Sequence, residues 1–311
     1  MKAKTIRKIL HYKFGSFLNS IEDEKVRLKI KTGTIITGGS IASMLCGEKV
    51  NDYDLYFKNH DTCLLVAQYF LKRFKEANSI EKIKCRNTLP IDLEVIDKDG
   101  RIQLFIRSSG VLADNQENEY SYFETLDPGD PSQNSFLEEV VNTKRNQGRP
   151  GKEEEAKKFR PIFLSANAIT LTDNFQIVIR FYGTPEEIHE NFDYVHCTNY
   201  WTSWNDEIVL RKEALESLLT KELRYHGSLY PMCSIIRLRK FLKRDWTINA
   251  GQMLKIMFQL NELDLKNVEI LREQLLGVDI SYFLQLLQAL EGVDPDVIDF
   301  TYVAELVDKI F

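Results

Sequence analysis

The sequence predicts an α+β protein, in which a mixed sheet domain over residues 1–211 precedes an all-helical domain over 212–311. Three observations predict it. A strand, a glycine break, a short helix and a second strand follow one another between Thr34 and Lys58; strand patterns of period two recur as far as Cys197; and after Lys212 the apolar spacing turns to 3.6 throughout. The composition agrees. With 43% hydrophobic, 11% aromatic and 28% charged residues, the 311-residue chain has the makeup of a globular protein and not of a collagen, a disordered chain or a coiled-coil rod.

Ile6, Ile9, Leu10, Phe14, Phe17, Leu18 and Ile21 recur at three and four residues, so the chain opens with an amphipathic helix over Thr5 to Ile21. Thr34 to Thr37 is a short buried strand that Gly38-Gly39 breaks, and Ser40 stands where it can N-cap a helix running to about Cys46. Asp52 to Lys58 is the next strand, with Tyr53, Leu55 and Phe57 on one face and Asp52, Asp54 and Tyr56 on the other. A helix over Thr62 to Lys75 follows. Ile91 to Ile96 and Ile102 to Ser108 flank the hairpin signal Asp99-Gly100. From about 114 to 160 the pattern lapses, and Asn142 to Lys158 is too poor in apolar residues to offset its ordering entropy, so the stretch from about 114 to 160 reads as a mobile insertion. Strands return at Ile162 to Leu171 and Phe175 to Phe181, a helical turn at Pro185 to His189, and a short strand at Phe192 to Cys197. Six helices are expected after that: Glu213 to Leu223, Met232 to Lys243, Gly251 to Leu263, Val268 to Leu276, Ser281 to Leu290 and Val297 to Ile310.

The net charge of -5 excludes a broad duplex-DNA coat, which needs a large basic surface. No run approaches 18 apolar residues, so no membrane partner is expected, and the basic start lacks the apolar core of a secretory signal. Cys46, Cys63, Cys85, Cys197 and Cys233 are scattered and odd in number, which fits free thiols in a reducing cytoplasm.

The chemistry concentrates in Ile35-Ile36-Thr37-Gly38-Gly39-Ser40 and, eleven residues on, Asp52-Tyr53-Asp54. Glycines between strand and helix let a backbone approach a phosphate, the helix start offers unpaired N–H groups, and Ser40 adds a hydroxyl donor. Asp52 and Asp54 project from one strand face about 7 Å apart, where both can ligate divalent cations. Two Mg²⁺ ions held this way can bridge a nucleoside triphosphate and acidify an attacking hydroxyl.

On these residues the sequence resembles the nucleotidyltransferase superfamily typified by DNA polymerase beta, the CCA-adding enzymes and the aminoglycoside nucleotidyltransferases. Gly38, Gly39, Ser40, Asp52 and Asp54 match its signature in identity and spacing. The segments NAITLTDNFQIVIRF, EEIHENFDYVHCTNYW and YHGSLYPMCSIIRLRKF also look like nucleotidyltransferase-like proteins of large bacteriophages, which implies a host cytoplasm. The resemblance implies a glycine-serine turn that binds the triphosphate, aspartates that hold Mg²⁺, and transfer of a nucleoside monophosphate, with release of pyrophosphate, to a hydroxyl of RNA, a protein or a small molecule. It also implies a third carboxylate on a later strand, for which Asp193 is the first choice and Asp92 the alternative.

Arg244-Asp245-Trp246-Thr247-Ile248-Asn249-Ala250 is similar to an element of bacterial CCA-adding enzymes, but it stands too far along the chain, and Thr247 or Asn249 is expected to cap a helix instead. Lys221 and Lys240, in the basic helical region, are the candidates for contacting the leaving pyrophosphate across a cleft between the domains, and Arg180 is another cation candidate. His189, His196 and Cys197 lack a fourth ligand at metal spacing and read as packing residues, and Trp201 and Trp204 as covers of a core edge. A rival reading keeps the fold without the catalysis: a nucleotide- or RNA-binding interaction protein.

Overall fold

The computed structural model describes residues 1–77, 91–98, 100–108, 158–164 and 167–265, with isolated positions at 267, 270, 274, 301, 302, 304 and 305. The helices expected at 268–276, 281–290 and 297–310, and all but the last few residues of the expected insertion, lie outside the described residues. Those described fall into two units, one ending at Thr220 and the other beginning at Lys221.

The first unit is built on helix α1 (Ala3–Asn19), which buries Ile6, Leu10, Phe14 and Phe17 along one stripe. Helix α2 (Glu24–Gly33) follows, unforeseen in the sequence. Asp23 caps it by accepting the Val26 N–H at 3.0 Å, and it buries Val26 and Ile30, one turn apart. Then come strand β1 (Thr34–Thr37), helix α3 (Gly39–Cys46), strand β2 (Tyr53–Phe57) and helix α4 (His60–Ala77). The hairpin of β3 (Ile91–Lys98) and β4 (Arg101–Ser108) forms a sheet of its own. The stretch read as one strand over Ile162 to Leu171 is two, β5 (Pro161–Leu164) and β6 (Ala168–Leu171); a left-handed Asp173 and Asn174 turn the chain into β7 (Phe175–Tyr182). Helix α5 (Pro185–His189) starts on a capping box between Thr184 and Glu187. The expected strand over Phe192 to Cys197 is absent: an irregular stretch there ends in a single 3-10 turn, Val195–Cys197. Strand pairing passes instead to a hairpin of β8 (Tyr200–Thr202) and β9 (Glu207–Val209), before helix α6 (Lys212–Thr220).

Seven strands make the main sheet in the order β5-β6-β7-β2-β1-β8-β9, with β2 and β7 parallel and every other pair antiparallel. Alternation along the strands separates two apolar layers. On one face Ile36, Leu55, Phe57, Phe175 and Ile177 meet the helices, where the Phe17 ring lies 6.1 Å from Phe70 and 5.3 Å from Phe175. Phe159, inside the stretch expected to be mobile, is buried there too, 5.4 Å from Phe17. Trp201 is core rather than edge: it is 1% exposed, lies 5.2 Å from Phe14, and donates its indole N–H to Asp206 at 2.9 Å. On the other face Ile35 and Tyr56 are covered by Ile188 of α5.

The second unit is not wholly helical. Strands β10 (Glu222–Leu223) and β11 (Thr247–Ile248) pair in parallel, ending the expected 213–223 helix at Thr220, and helices α7 (Pro231–Leu242) and α8 (Ala250–Asn261) follow β10 and β11 respectively. Asn249 caps α8, accepting the Gln252 N–H at 3.1 Å, so the CCA-like element is a strand end and a helix cap. No helix among the described residues is long and apolar enough to cross a membrane.

Candidate active site

Strands β1 and β2 lie side by side in the middle of the sheet, and their register sets Thr37 opposite Asp54. Paired residues of antiparallel strands share a face, so the end of β1 and the start of β2 present their polar groups together. Gly38 has φ +91° and ψ -152°, a conformation that glycine adopts without strain, and it donates its N–H to the Cys197 carbonyl at 3.1 Å. A methyl group at Gly38 would fall 2.9 Å from Oδ2 of Asp54. Glycine is required there twice, by the backbone angle and by the carboxylate above it. Gly39 faces open space and has no such demand on it.

Gly38, not Ser40, is the N-cap of α3. Ser40 lies inside the first turn, 1% exposed, and its hydroxyl has no hydrogen-bond partner among the described residues. A buried hydroxyl left in that state favours any acceptor that reaches it.

Asp52 stands just before β2 and is exposed, while Asp54 on the strand is half-buried. Neither carboxylate pairs with a basic side chain among the described residues. The atoms crowding the Asp52 carboxyl strip part of its hydration and raise its pKa, although its own backbone N–H counteracts this. Asp54 is held well above the usual carboxylate range, by burial of its carboxyl and then by the charge of Asp52. Two hard oxygen donors that lack an internal cation and repel each other suit a divalent cation such as Mg²⁺, which takes one or two protein carboxylates and completes its shell with phosphates and water.

The two aspartates are not joined by a third ligand in any metal-holding group: among the described residues no group of three His, Cys, Asp or Glu side chains is placed to hold a metal. Asp193 is buried on the irregular stretch between α5 and the 195–197 turn, and so is not on the strand expected to aim it. Asp92 sits on β3 with Arg107 across from it, outside the main sheet, and its side chain lies outside the described residues. The residue that β7 sets beside Asp54 is Gln176. Sequence reasoning passed over it because the parallel pairing of β7 with β2 joins strands more than a hundred residues apart. Its one visible signal is a polar position in the alternation of Phe175, Ile177 and Ile179.

Behind the turn, the Thr37 hydroxyl is 2.8 Å from Nε2 of His189 and 2.9 Å from the Asn199 carbonyl, all buried. His189, His196 and Cys197 form no metal group; burial pushes His196 down to about 4, so that its ring is neutral. Lys221 and Lys240 belong to the second unit and are exposed in it, and Arg180 lies on β7.

A family model described as Gabija anti-defense 2 family protein matches residues 8–221. A protein named Gabija anti-defense 2, from Bacillus phage SPbetaL7, is 22% identical over 147 residues, which are 43% of this chain and 37% of that protein. The chain thus spans well under half the length of that relative. Among solved structures, a Thermotoga maritima CCA-adding enzyme complexed with tRNA aligns with 14% identity and a TM-score of 0.39, over 90% of this chain and 51% of the other. A CCA-adding enzyme in its apo form I aligns with 13% identity and a TM-score of 0.38, over 93% and 48%. The family match runs over more than half of the chain and takes in Gly38, Ser40, Asp52 and Asp54, and the protein belongs to the Gabija anti-defense 2 family.

Proposed function

We propose that the protein is a Mg²⁺-dependent nucleotidyltransferase that moves a nucleoside monophosphate from a nucleoside triphosphate to a hydroxyl of RNA, a protein or a small molecule. The observation that carries this reading is the seating of the Gly38 turn against Asp54, beside a second carboxylate and a buried, unsatisfied serine hydroxyl. Asp52 and Asp54 hold the cations, and Ser40 with the first N–H groups of α3 takes phosphate oxygens, a role the positive end of a helix suits. When bound, Mg²⁺ supplies charge neutralisation for the phosphates and acidity for the attacking hydroxyl. The acceptor oxygen bonds to the α-phosphorus, the bridge to the β-phosphate breaks, and pyrophosphate leaves. Asp193 is proposed as the third catalytic carboxylate, and Lys221 and Lys240 as contacts for pyrophosphate. The family description supports action against the Gabija defence, and nucleotidyl transfer is our proposal for the means.

The test is incubation of the protein with each α-labelled triphosphate, Mg²⁺ and a lysate of host cells. Label should pass to an acceptor, and Asp52→Ala and Asp54→Ala should lower transfer by about a thousandfold, the scale of losing a principal charge-stabilising group. Undiminished transfer by both variants would exclude the site.

Gln176 favours a second reading, a nucleotide-binding protein without catalysis, because the strand neighbour of Asp54 offers an amide where a third carboxylate would complete a metal site. In that case triphosphates raise the melting temperature, no label is transferred, and Gabija-bearing cells are still made sensitive by the Asp54→Ala variant.

A further inference from the structure

A second polar site lies at the far end of β2. A shallow cavity of about 530 Å³ gathers Lys58, directly after β2, with Arg101 at the start of β4 and Arg180 on β7; His60, Phe181 and Glu187 also line it. Lys58 and Arg101 are positioned without any carboxylate partner among the described residues. The Lys58 ammonium stands 5.2 Å from the centre of the Trp204 ring. Nε and an Nη of Arg101 reach the side-chain oxygen of Gln103, in its hydrogen-bonding orientation, at 2.9 and 3.1 Å. Both contacts fix the side chain and leave its charge uncompensated.

The described acids nearby have partners of their own. Glu187, the one carboxylate among the described lining residues, accepts the Thr184 N–H at 2.7 Å and the Thr184 hydroxyl at 3.0 Å to start α5. Asp97 faces His60 at 3.0 Å. Lys58 and Arg101, with Arg180 in the same lining, outnumber its one described carboxylate, so the hollow disfavours metal ions and suits a ligand carrying several negative charges. Arginine forks bind the paired oxygens of phosphate, and lysine adds a point charge. The site is also separate from the carboxylate pair: Lys58 lies four residues beyond Asp54, ~13 Å along the strand, and Tyr56 with its cover Ile188 fills the face between.

We propose that this cavity binds a polyphosphate group, either free pyrophosphate or the phosphate chain of a nucleotide, independently of Asp52 and Asp54. The test measures binding of inorganic pyrophosphate, ATP and a single-stranded RNA oligonucleotide to the full chain by calorimetry in EDTA. Wild-type protein and the Asp54→Asn variant are compared with Lys58→Gln and Arg101→Gln, each checked for native circular dichroism. Pyrophosphate and ATP should bind without metal, equally well to Asp54→Asn, and about tenfold or more weaker to each cavity variant, as expected for loss of one charge-assisted contact. Binding of ATP but not of pyrophosphate, with the same variant dependence, assigns the chain to a nucleotide. No binding of either, binding untouched by Lys58→Gln and Arg101→Gln, or binding of RNA alone overturns the proposal. Loss of label transfer in Asp54→Ala leaves this outcome unaffected, so the two sites fail separately.

Discussion

Thr37 and His189 meet in the protein interior: the Thr37 hydroxyl lies 2.8 Å from Nε2 of His189 and reaches the backbone carbonyls of Asn199 at 2.9 Å and Cys197 at 3.3 Å. Thr37 directly precedes Gly38, so α5 and the end of β1 are tied together beneath the turn. His189→Ala should lower unfolding stability by about 1–3 kcal/mol, the range for leaving a buried polar partner unmade. It should also weaken Mg²⁺-dependent stabilisation by triphosphate, and His189→Gln should recover part of both; a triphosphate response unchanged in His189→Ala would uncouple the turn from this contact.

Gly38→Ala meets two obstacles, a positive φ and Asp54 Oδ2 at 2.9 Å from the new methyl group. The backbone term alone is about 1–3 kcal/mol, since this region of φ and ψ is open essentially to glycine only. Thermal denaturation should register that loss, and triphosphate binding should fall more steeply than stability, since the methyl group displaces the carboxylate. Gly39→Ala, with nothing within 4 Å, should be far milder.

Asp54 is a group whose folded pKa is raised, so at neutral pH its charge opposes folding, and that opposition disappears as the pH falls through its folded value toward 3.8. In metal-free buffer at pH 7, Asp54→Asn should therefore melt at a higher temperature than wild type. Adding Mg²⁺ with triphosphate should reverse the order by stabilising wild type alone. A variant less stable than wild type without metal would contradict this account of the two carboxylates.

His196 works in the opposite direction. Its pKa is about 4 in the fold against 6.5 unfolded, so the unfolded chain takes up the proton first. The stability this neutral ring sustains is complete above pH 6.5 and drains away as the pH falls toward 4, by ~3 kcal/mol in all. Urea unfolding at pH 7.5, 6 and 4.5 should show a shallower acid loss for His196→Leu than for wild type; parallel losses would assign the acid sensitivity to other groups.

The turn and its two aspartates were legible because the signal is local: strand, two glycines, helix and strand fall within Thr34 to Phe57 and need no distant partner to be recognised. Helix α2 was passed over because lysines break its apolar stripe, yet Asp23 three residues before Val26 was a readable cap. Strands β8 and β9 have three residues each, too short for period two to show, and only the burial of Trp201 against Phe14 reveals what they support. Phe192 to Cys197 alternates like a strand, but among the described residues it forms only an isolated bridge at Tyr194 and no strand of the main sheet. Its carbonyl at Cys197 goes to Gly38 instead, which is how Asp193 came to be misplaced on a strand.

The two strands that carry the turn and the carboxylates are inner members of the sheet, flanked by β7 on one side and β8 on the other. Amide hydrogens there can exchange with solvent only when neighbouring ladders part, whereas β5 and β9 can fray singly at the rims. A long stretch of sequence enters the sheet at its outermost strand, β5, three places from β2. Lengthening or shortening that stretch during descent would disturb the periphery first and leave the geometry around Asp54 standing.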